Sequence, residues 1–353
     1  MRKIISRLIL ILILALLIFA GIKAYKHFAG SKNEEILAGN TENNIETDLE
    51  NEIPEEIIEE KKVQIYSGNE RPIAVMLDNS KASWPQAGLN DAYLVYEIIV
   101  EGGETRLMAL FKGANLDKIG SLRSARHYFL DYALENDAIY VHFGWSPQAQ
   151  SDISKLHVEN INGIQQSSKH FWRAKDKKQP HNAVTNTESI WTIAEKYEYR
   201  TTSDAESVLR YSVDEINLTD GMIANNVIIP HSKLQTVEYV YDEENMNYVR
   251  YARNKEQTDW DTGDSVTTKN IIVMFIDNYT LKDTEDKGRQ GLHNIGTFDG
   301  YYITNGQAIE IKCTKESRES KTVYKDLNGN EINVNDGNTF INICHTDTDV
   351  TFE

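Results

Sequence analysis

Gly120-Ser121-Leu122-Arg123-Ser124-Ala125-Arg126 is the stretch of the sequence that contains two arginines three positions apart. From Arg123 to Asn136 the pattern predicts a helix, and Ser121 is of a type that caps helix N-termini. Arginines at this spacing lie on one face of a helix. The unpaired N–H groups of a helix N-terminus also attract anions. The stretch therefore predicts a helix start that binds phosphate, pyrophosphate or carboxylate.

Other charged and polar residues flank this stretch in the sequence. Glu97, Glu101 and Arg106 lie on or beside two predicted strands, and further candidates follow in strand ends and loops, where binding groups are common. The predicted ligand-binding residues are Arg106, Arg123, Arg126, Glu97, Glu101, His142, Arg173, His181 and Asn182. The alternative is a structural network, in which the arginines pair with carboxylates because buried arginines need partners. The histidines could likewise be structural residues held by hydrogen bonds.

Strands and helices intermix in residues 69–205. Short apolar runs bounded by turn residues predict the strands, and a Gly-Gly pair between two of them predicts a hairpin. The predicted strands are Pro72–Leu77, Tyr93–Val100, Thr105–Phe111 and Ala138–Phe143, and the predicted helices after residue 136 are Pro147–Leu156 and Thr187–Tyr199. This mixture is typical of a layered α/β-type domain.

Residues 206–353 have a different character. Short β-like runs are separated by turn dipeptides such as Asn305-Gly306 and Asp336-Gly337, which are strong hairpin signals. We therefore predict a mostly antiparallel β domain here, and an α+β class for the chain. Cys313 and Cys344 lie in two of these runs. They could form a disulfide or remain two separate buried thiols.

The N-terminal segment, residues 1–30, has the pattern of a membrane anchor. Arg2, Lys3 and Arg7 precede an unbroken apolar run from Leu8 to Ile22. A cleaved signal peptide is the alternative, but a small-x-small cleavage site is poor here, which favours an uncleaved signal anchor. Positive charges before the apolar run stay inside. The sequence thus predicts a single-pass protein of the cytoplasmic membrane, with its N-terminus inside and its domains extracytoplasmic.

The next segment, residues 31–68, is predicted to be a disordered acidic tether. Between Glu34 and Glu60 the chain has many carboxylates and no Lys or Arg, and few apolar residues that could form a core. The whole chain has a formal net charge of −17. Nucleic acid is excluded as a partner on this basis, because phosphate backbones are bound by basic surfaces.

Sequence motifs of common enzyme classes are missing. The chain has no Gly-x-Ser-x-Gly elbow, no P-loop, no Gly-x-Gly-x-x-Gly run and no His-Glu-x-x-His run. Asp78 follows a predicted strand and could hold Mg²⁺ or Mn²⁺ together with a phosphate ligand. No other cofactor is indicated, and the sequence leaves open whether the protein is an enzyme.

Several blocks of the sequence resemble a known family. The blocks Arg71–Asn79, Pro85–Leu89, Tyr96–Arg106, Gly120–Arg126, Phe171–Arg173 and Pro180–Asn182 are similar to signatures of the YerB-like lipoproteins, domain of unknown function 3048. The resemblance implies a bacterial cell-envelope protein with N-terminal and C-terminal modules and no established activity. Lipid-anchored members have a lipobox cysteine. Here no cysteine precedes Cys313, so the expected anchor is the helix itself.

Two functional hypotheses remain open. In the first, the protein is non-catalytic and binds an anionic envelope precursor or a protein partner through the arginines. In the second, it is a metal-dependent phosphotransferase or hydrolase acting on a pyrophosphate-linked cell-wall substrate. Arg123 and Arg126 would then clamp the phosphates, Asp78 would hold the metal, and His142 or His181 would act as acid or base.

Overall fold

The computed structural model describes residues 61–283, 285 and 287–353. The predicted anchor at residues 1–30 and the tether up to residue 60 lie outside the described residues. All described residues belong to one compact unit. Among these residues, none of the helices has the length and hydrophobicity of a membrane span.

Helices are few and strands are many in the described part of the chain. The helices are α1 (Phe129–Glu135), α2 (Pro147–Lys155) and α3 (Thr187–Lys196). The strands are β1 (Ile73–Asp78), β2 (Leu94–Ile99), β3 (Thr105–Phe111), β4 (Ile119–Gly120), β5 (Ile139–His142), β6 (Asn160–Asn162), β7 (Trp172–Arg173), β8 (Ala183–Thr185), β9 (Arg210–Ser212), β10 (Met222–Ile223), β11 (Asn226–Pro230), β12 (Thr236–Asp242), β13 (Asn247–Ala252), β14 (Lys255–Glu256), β15 (Thr267–Thr268), β16 (Asn270–Phe275), β17 (Asn278–Thr280), β18 (Gln290–Leu292), β19 (Gly296–Thr304), β20 (Gln307–Lys315), β21 (Val323–Asp326), β22 (Asn333–Asn335), β23 (Thr339–Cys344) and β24 (Thr351–Phe352).

One large mixed sheet runs through the unit. Its strand order is β10-β20-β19-β16-β23-β2-β3-β1-β5-β6, and β21 pairs with β20. The predicted hairpin of β2 and β3 is confirmed, with antiparallel pairing. Strand β23, close to the C-terminus, lies parallel to both β2 and β16. The sheet is therefore continuous across the domain division predicted near residue 205.

A second, antiparallel sheet has the order β14-β13-β12-β11-β24, with β15 paired to β13. Few helices beside mixed and antiparallel sheets confirm the predicted α+β class. The layered α/β arrangement of residues 69–205 stays a prediction.

Both faces of the large sheet are covered, because successive side chains of a strand point to opposite sides. On β1, Val75 belongs to a hydrophobic cluster that includes Ile190 of α3 and Tyr239 of the second sheet. The next residue, Met76, belongs to a cluster on the other face that includes Phe129 of α1. Every residue of β1 is consequently buried, which explains its continuous apolar sequence.

The helix predicted from Arg123 is wrong in its first six residues, because α1 begins only at Phe129. The backbone N–H of Arg123 donates to the carbonyl of Met76 on β1 at 2.9 Å, and that of Ala125 donates to Gly144 at 2.9 Å. These hydrogen bonds to neighbouring segments hold residues 121–126 extended. Tertiary pairing thus overrides the local helical pattern.

Two further expectations can be compared with the described residues. The last part of the predicted tether is attached to the folded unit, since the backbone N–H groups of Gln64 and Ile65 donate to Asp336. Cys313 and Cys344 are separate buried thiols. They belong to different hydrophobic clusters on opposite faces of the sheet, so no disulfide joins them.

Candidate functional site

A cavity of about 440 Å³ lies where β1 ends and β3 begins. We call it the arginine cavity and define it by Asp78, Glu101, Arg106, Arg123 and Arg126, which are among its lining residues. Asp78 and Arg106 face each other in the antiparallel pairing of β1 and β3. Glu101 lies in the turn between β2 and β3. The two remaining arginines come from the extended segment after β4.

That extended segment is fixed to the sheet through close backbone contacts. Gly120 pairs with Val184 on β8, and the backbone N–H of Leu122 donates to the carbonyl of Ala183 at 2.7 Å. A Cβ added at Gly120 would lie 2.7 Å from the Val184 side chain and 3.0 Å from the Ala183 carbonyl. Only glycine fits this approach, and it places the following arginines beside the end of β1.

Arg123 has the most unused hydrogen-bonding capacity of the three arginines. Its Nε lies 3.3 Å from Oδ2 of Asp78, and its side chain is 28% exposed. Among the described residues, neither terminal nitrogen of its guanidinium has a hydrogen-bond partner. The main chain of Arg123 is meanwhile held by Met76. Arg123 therefore presents a positioned guanidinium with free donors to the cavity.

Arg126 and Arg106 are more fully engaged. Arg126 binds Glu101 through two hydrogen bonds, Nε to Oε1 at 2.6 Å and Nη2 to Oε2 at 2.9 Å. Arg106 donates from Nη1 to the carbonyl of Ser124 at 2.5 Å, and its Nη2 lies 3.7 Å from Oε2 of Glu101. Burial and the nearby charge of Arg126 lower the pKa of Arg106 to about 10, although Glu101 opposes the shift.

Asp78 is ionised and shared between several donors. Its Oδ2 lies 2.7 Å from Nδ1 of His181, and its Oδ1 accepts the backbone N–H of Ser80 at 3.0 Å. Burial raises the pKa of Asp78, but the charge of Arg123 and these hydrogen bonds outweigh burial and hold the pKa below its usual value. The Ser80 hydroxyl also contacts Nδ1 of His181, at 3.1 Å. A Ser-His-Asp triad uses both ring nitrogens, so this arrangement is not a triad.

The predicted divalent cation at Asp78 finds little support in this geometry. Both carboxylate oxygens already have partners in Arg123, His181 and Ser80. Within residues 61–353, apart from 284 and 286, no group of three or more His, Cys, Asp or Glu side chains is arranged to hold a metal ion. Hard cations need several oxygen ligands, and the neighbouring carboxylate of Glu101 is itself bound by Arg126.

Glu97 lies away from the arginine cavity, on the opposite face of the sheet. It is fully buried and accepts a hydrogen bond at 2.5 Å from Nη2 of Arg250 on β13. Asn79 and Thr105 also donate to it, at 3.0 and 2.7 Å. Burial raises the pKa of Glu97, but the charge of Arg250 prevails and holds the pKa below its usual value. Glu97 is therefore part of a closed ion pair between the two sheets.

His142 also lies outside the cavity lining. Its Nδ1 is 2.7 Å from the carbonyl of Gly144, and its Nε2 is 3.1 Å from Oδ1 of Asn160. Burial lowers the pKa of His142, and its contacts with Asn160 and Gly144 oppose this shift. With both nitrogens engaged, His142 has the contacts of a structural histidine.

Arg173 and Asn182 form a pair beside the cavity. Nη1 of Arg173 donates to Oδ1 of Asn182 at 3.1 Å, and the guanidinium stacks on Phe143 at 4.6 Å from the ring centre. Burial and the charge of Arg123 lower the pKa of Arg173, so the two arginines act on each other electrostatically. Asn182 fixes the loop by donating to the carbonyls of Ala174 and Lys177.

Sequence reasoning missed several residues of the arginine cavity and the buried partner of Glu97. Trp145, Lys287 and Arg289 also line the arginine cavity. The two basic residues come from the C-terminal half, so no local signal connects them with Arg123. The sequence does contain a signal for Arg250, because this residue occupies a buried position in the alternation of β13, between Tyr248 and Ala252. A charge at such a position indicates a buried partner.

Comparisons with known proteins agree with the resemblance of the signature blocks. Residues 60–200 match "Protein of unknown function (DUF3048) N-terminal domain", and residues 226–341 match the C-terminal domain of the same family. The chain is 29% identical over 267 residues to "Putative lipoprotein YerB" of Bacillus subtilis (strain 168), covering 76% of each sequence. It is also similar to the crystal structure of YerB protein from Bacillus subtilis, with a TM-score of 0.71, 28% identity and coverage of 80% of this chain and 94% of that one. The chain belongs to the DUF3048 family.

Proposed function

We propose that the chain is a membrane-anchored, extracytoplasmic protein of the bacterial cell envelope that binds an anionic ligand in the arginine cavity. The location is supported by the apolar run from Leu8 to Ile22 after three basic residues, and by a relative named as a lipoprotein. The anchor of this chain would be the N-terminal helix, since no cysteine precedes Cys313.

The observation that carries the ligand proposal is an excess of positive charge. A third lining carboxylate, Glu104, pairs with Arg253, and the other two, Asp78 and Glu101, are shared by three arginines of the cavity. Burial is the largest cause of the lowered pKa of Arg106, and repulsion by Arg126 and Arg123 adds to it, while Glu101 opposes the shift. An anion placed between the guanidiniums would remove this imbalance and accept hydrogen bonds from Arg123.

Phosphate or pyrophosphate is the ligand class that fits best. The cavity is concave, and its volume of about 440 Å³ accommodates a small anionic group together with part of what it is attached to. A protein partner would need a larger and flatter surface. A pyrophosphate-linked precursor of the envelope combines the required charge with an extracytoplasmic location, so we favour it over a protein partner.

The contact between Asp78 and His181 favours one alternative, a phosphotransferase or hydrolase. A carboxylate bound to one ring nitrogen orients a histidine, and the other nitrogen can then transfer a proton. In this alternative His181 is the acid or base, and Arg123 stabilises the phosphate. Cleavage of the P–O–P bond of a pyrophosphate-linked substrate, with one phosphoryl-bearing group passing to water or an acceptor hydroxyl and the other leaving as a phosphomonoester, would distinguish this enzyme from a binding protein.

Thermal unfolding of the full chain with inorganic pyrophosphate tests the proposal. We expect the midpoint to rise, because a ligand at a hundred times its dissociation constant stabilises the native state by about 2.7 kcal/mol. Arg123→Gln should fold and lose this shift. Arg210→Gln is the matched control, since Arg210 is an exposed arginine that pairs with Glu331 outside the cavity. Equal shifts in the wild type and Arg123→Gln would refute the assignment.

A further inference from the structure

A second cavity, of about 590 Å³, lies beside the arginine cavity, and Trp145 lines both of them. We call it the aromatic cavity and define it by Trp145, Tyr197 and Tyr199. Helix α2 contributes to one side, and the residues directly after α3 supply the two tyrosines. None of its lining residues is Asp, Glu, Lys or Arg. The two adjoining cavities therefore differ completely in charge.

Uncharged hydrogen-bonding groups surround the aromatic rings. Gln150 and Ser154 lie four positions apart on α2, hence on one face of the helix, and Gln165 lies across from them in a short 3₁₀ turn. Within the described residues, the side chains of these three residues form no hydrogen bonds to the protein. The indole N–H of Trp145 has no acceptor there either. These three side chains are exposed to solvent, so their donors and acceptors are available to a ligand at this opening.

Neighbouring residues hold the ring and the backbone of Trp145 in place. It packs against His142 with 5.5 Å between the ring centres, and both nitrogens of that histidine are fixed by hydrogen bonds. The backbone of Trp145 is bridged to Ala125 of the extended segment. A preordered aromatic surface loses little conformational entropy when a ligand covers it, so even a shallow cavity can bind.

We propose that the aromatic cavity binds a neutral sugar ring of a glycan. The C–H faces of a pyranose are apolar and pack on aromatic rings, while its hydroxyl groups need the uncharged donors and acceptors that Gln150, Ser154 and Gln165 supply. A purely apolar ligand would leave these polar groups without partners. An anion would find no basic group in this cavity. The proposal stands independently of anion binding in the arginine cavity.

The test uses the full chain in a non-ionic polyoxyethylene detergent, because a detergent with a sugar headgroup would compete. Chitotetraose and cellotetraose are titrated to millimolar concentration, and the indole N–H resonances of the five tryptophans are followed by NMR. We expect the Trp145 resonance to shift with at least one of the two sugars. Those of Trp84 and Trp260 should stay, since they donate to Asn79 and Asp176.

Two tyrosine variants make the test specific. Tyr197→Ala should weaken sugar binding about two- to tenfold, which is the worth of one aromatic contact. Tyr279→Ala is the control, because the exposed fractions of Tyr197 and Tyr279 are similar, 38% and 42%, and Tyr279 lies outside the cavity. Arg123→Gln should leave sugar binding unchanged while it removes stabilisation by pyrophosphate, which separates the two proposals.

Either of two results would overturn the sugar site. The first is that neither oligosaccharide shifts the Trp145 resonance at millimolar concentration. The second is that Tyr279→Ala weakens binding as much as Tyr197→Ala, which would place the sugar elsewhere on the surface.

Discussion

Two arginine–carboxylate clusters lie on opposite faces of the large sheet, and they differ in how their charges are balanced. On one face, Glu97 and Arg250 are both fully buried, and one carboxylate meets one guanidinium between the two sheets. On the other face, three arginines share Asp78 and Glu101 at an open cavity. The same residue types thus form a closed structural pair in one place and an unbalanced, accessible cluster in the other.

Structural and binding arginines can therefore be distinguished within one molecule by their accessibility and by the charges around them. Nη1 of Arg250 has no hydrogen-bond partner among the described residues, but the pair is fully buried and therefore inaccessible to a ligand, so its removal mainly affects folding. An unmatched cluster at a cavity keeps capacity for an anion, and its removal mainly affects binding. Substitutions in the two clusters should therefore differ in their effects on stability and on binding.

The largest effect is expected for Arg250→Met. The substitution leaves the charge of Glu97 buried without its cation, which should lower the free energy of unfolding by about 3–5 kcal/mol. Urea denaturation of the full chain measures the change. The double variant Glu97→Leu/Arg250→Met should recover much of the loss, because it removes both charges. A loss below about 1 kcal/mol in the single variant would show that the pair is not structural.

Arg123→Gln should have the opposite profile. Its side chain is partly exposed, and Asp78 keeps His181 and Ser80 as partners, so the stability loss should stay near 1 kcal/mol. Affinity for pyrophosphate should fall about tenfold or more, since hydrogen bonds to a charged group contribute about 1.5–3 kcal/mol. Calorimetric titration measures the affinity for pyrophosphate, and urea denaturation of the same preparation measures the free energy of unfolding. A variant that binds as well as the wild type, or that fails to fold, contradicts the distinction.

The pH dependence of Asp78 gives a smaller but specific effect. Its folded-state pKa lies below the unfolded value, largely because the charge of Arg123 outweighs burial. The group therefore contributes stability above the unfolded pKa of about 3.9, and this contribution is lost as the pH falls through the folded pKa. In Arg123→Gln the pKa of Asp78 should rise. Carbon NMR of the carboxylates measures it, and an unchanged pKa would show that the two groups do not interact.

The smallest effect belongs to an exposed pair that is part of neither cluster. Arg210 and Glu331 lie 2.7 Å apart at the surface, where solvent and salt screen the attraction. Arg210→Gln should change the free energy of unfolding by less than about 1 kcal/mol and leave pyrophosphate binding intact. Loss of binding in this variant would show that long-range charge, and not the arginine cavity, accounts for affinity.

Local sequence patterns predicted much of the sheet around the cavity. Strand β3 has the predicted bounds, Thr105–Phe111, and the Gly-Gly hairpin brings Glu101 and Arg106 together as a short turn must. The helical interpretation of Arg123 failed, because its backbone N–H donates to the carbonyl of Met76, on a strand 47 positions earlier. Hydrogen bonds of this kind depend on tertiary contacts, which a local window does not contain.

The buried pair was beyond local prediction for a related reason. Glu97 meets Arg250 153 positions later in the chain, across two sheets. The pairing of β23 with both β2 and β16 joins these halves in one sheet. The sequence does contain the two charges at buried strand positions, but nothing in it says which charge meets which.

NMR of the arginine side chains in one sample tests directly whether the arginine cavity binds an anion. Pyrophosphate is added to the wild-type chain while the Nε–H resonances of Arg123 and Arg250 are followed together. Arg250 serves as an internal control, because it is fully buried against Glu97. The account predicts that the Arg123 resonance shifts in a saturable way and the Arg250 resonance stays. A stationary Arg123 resonance, or equal shifts of both, would contradict the assignment of the arginine cavity as an anion site.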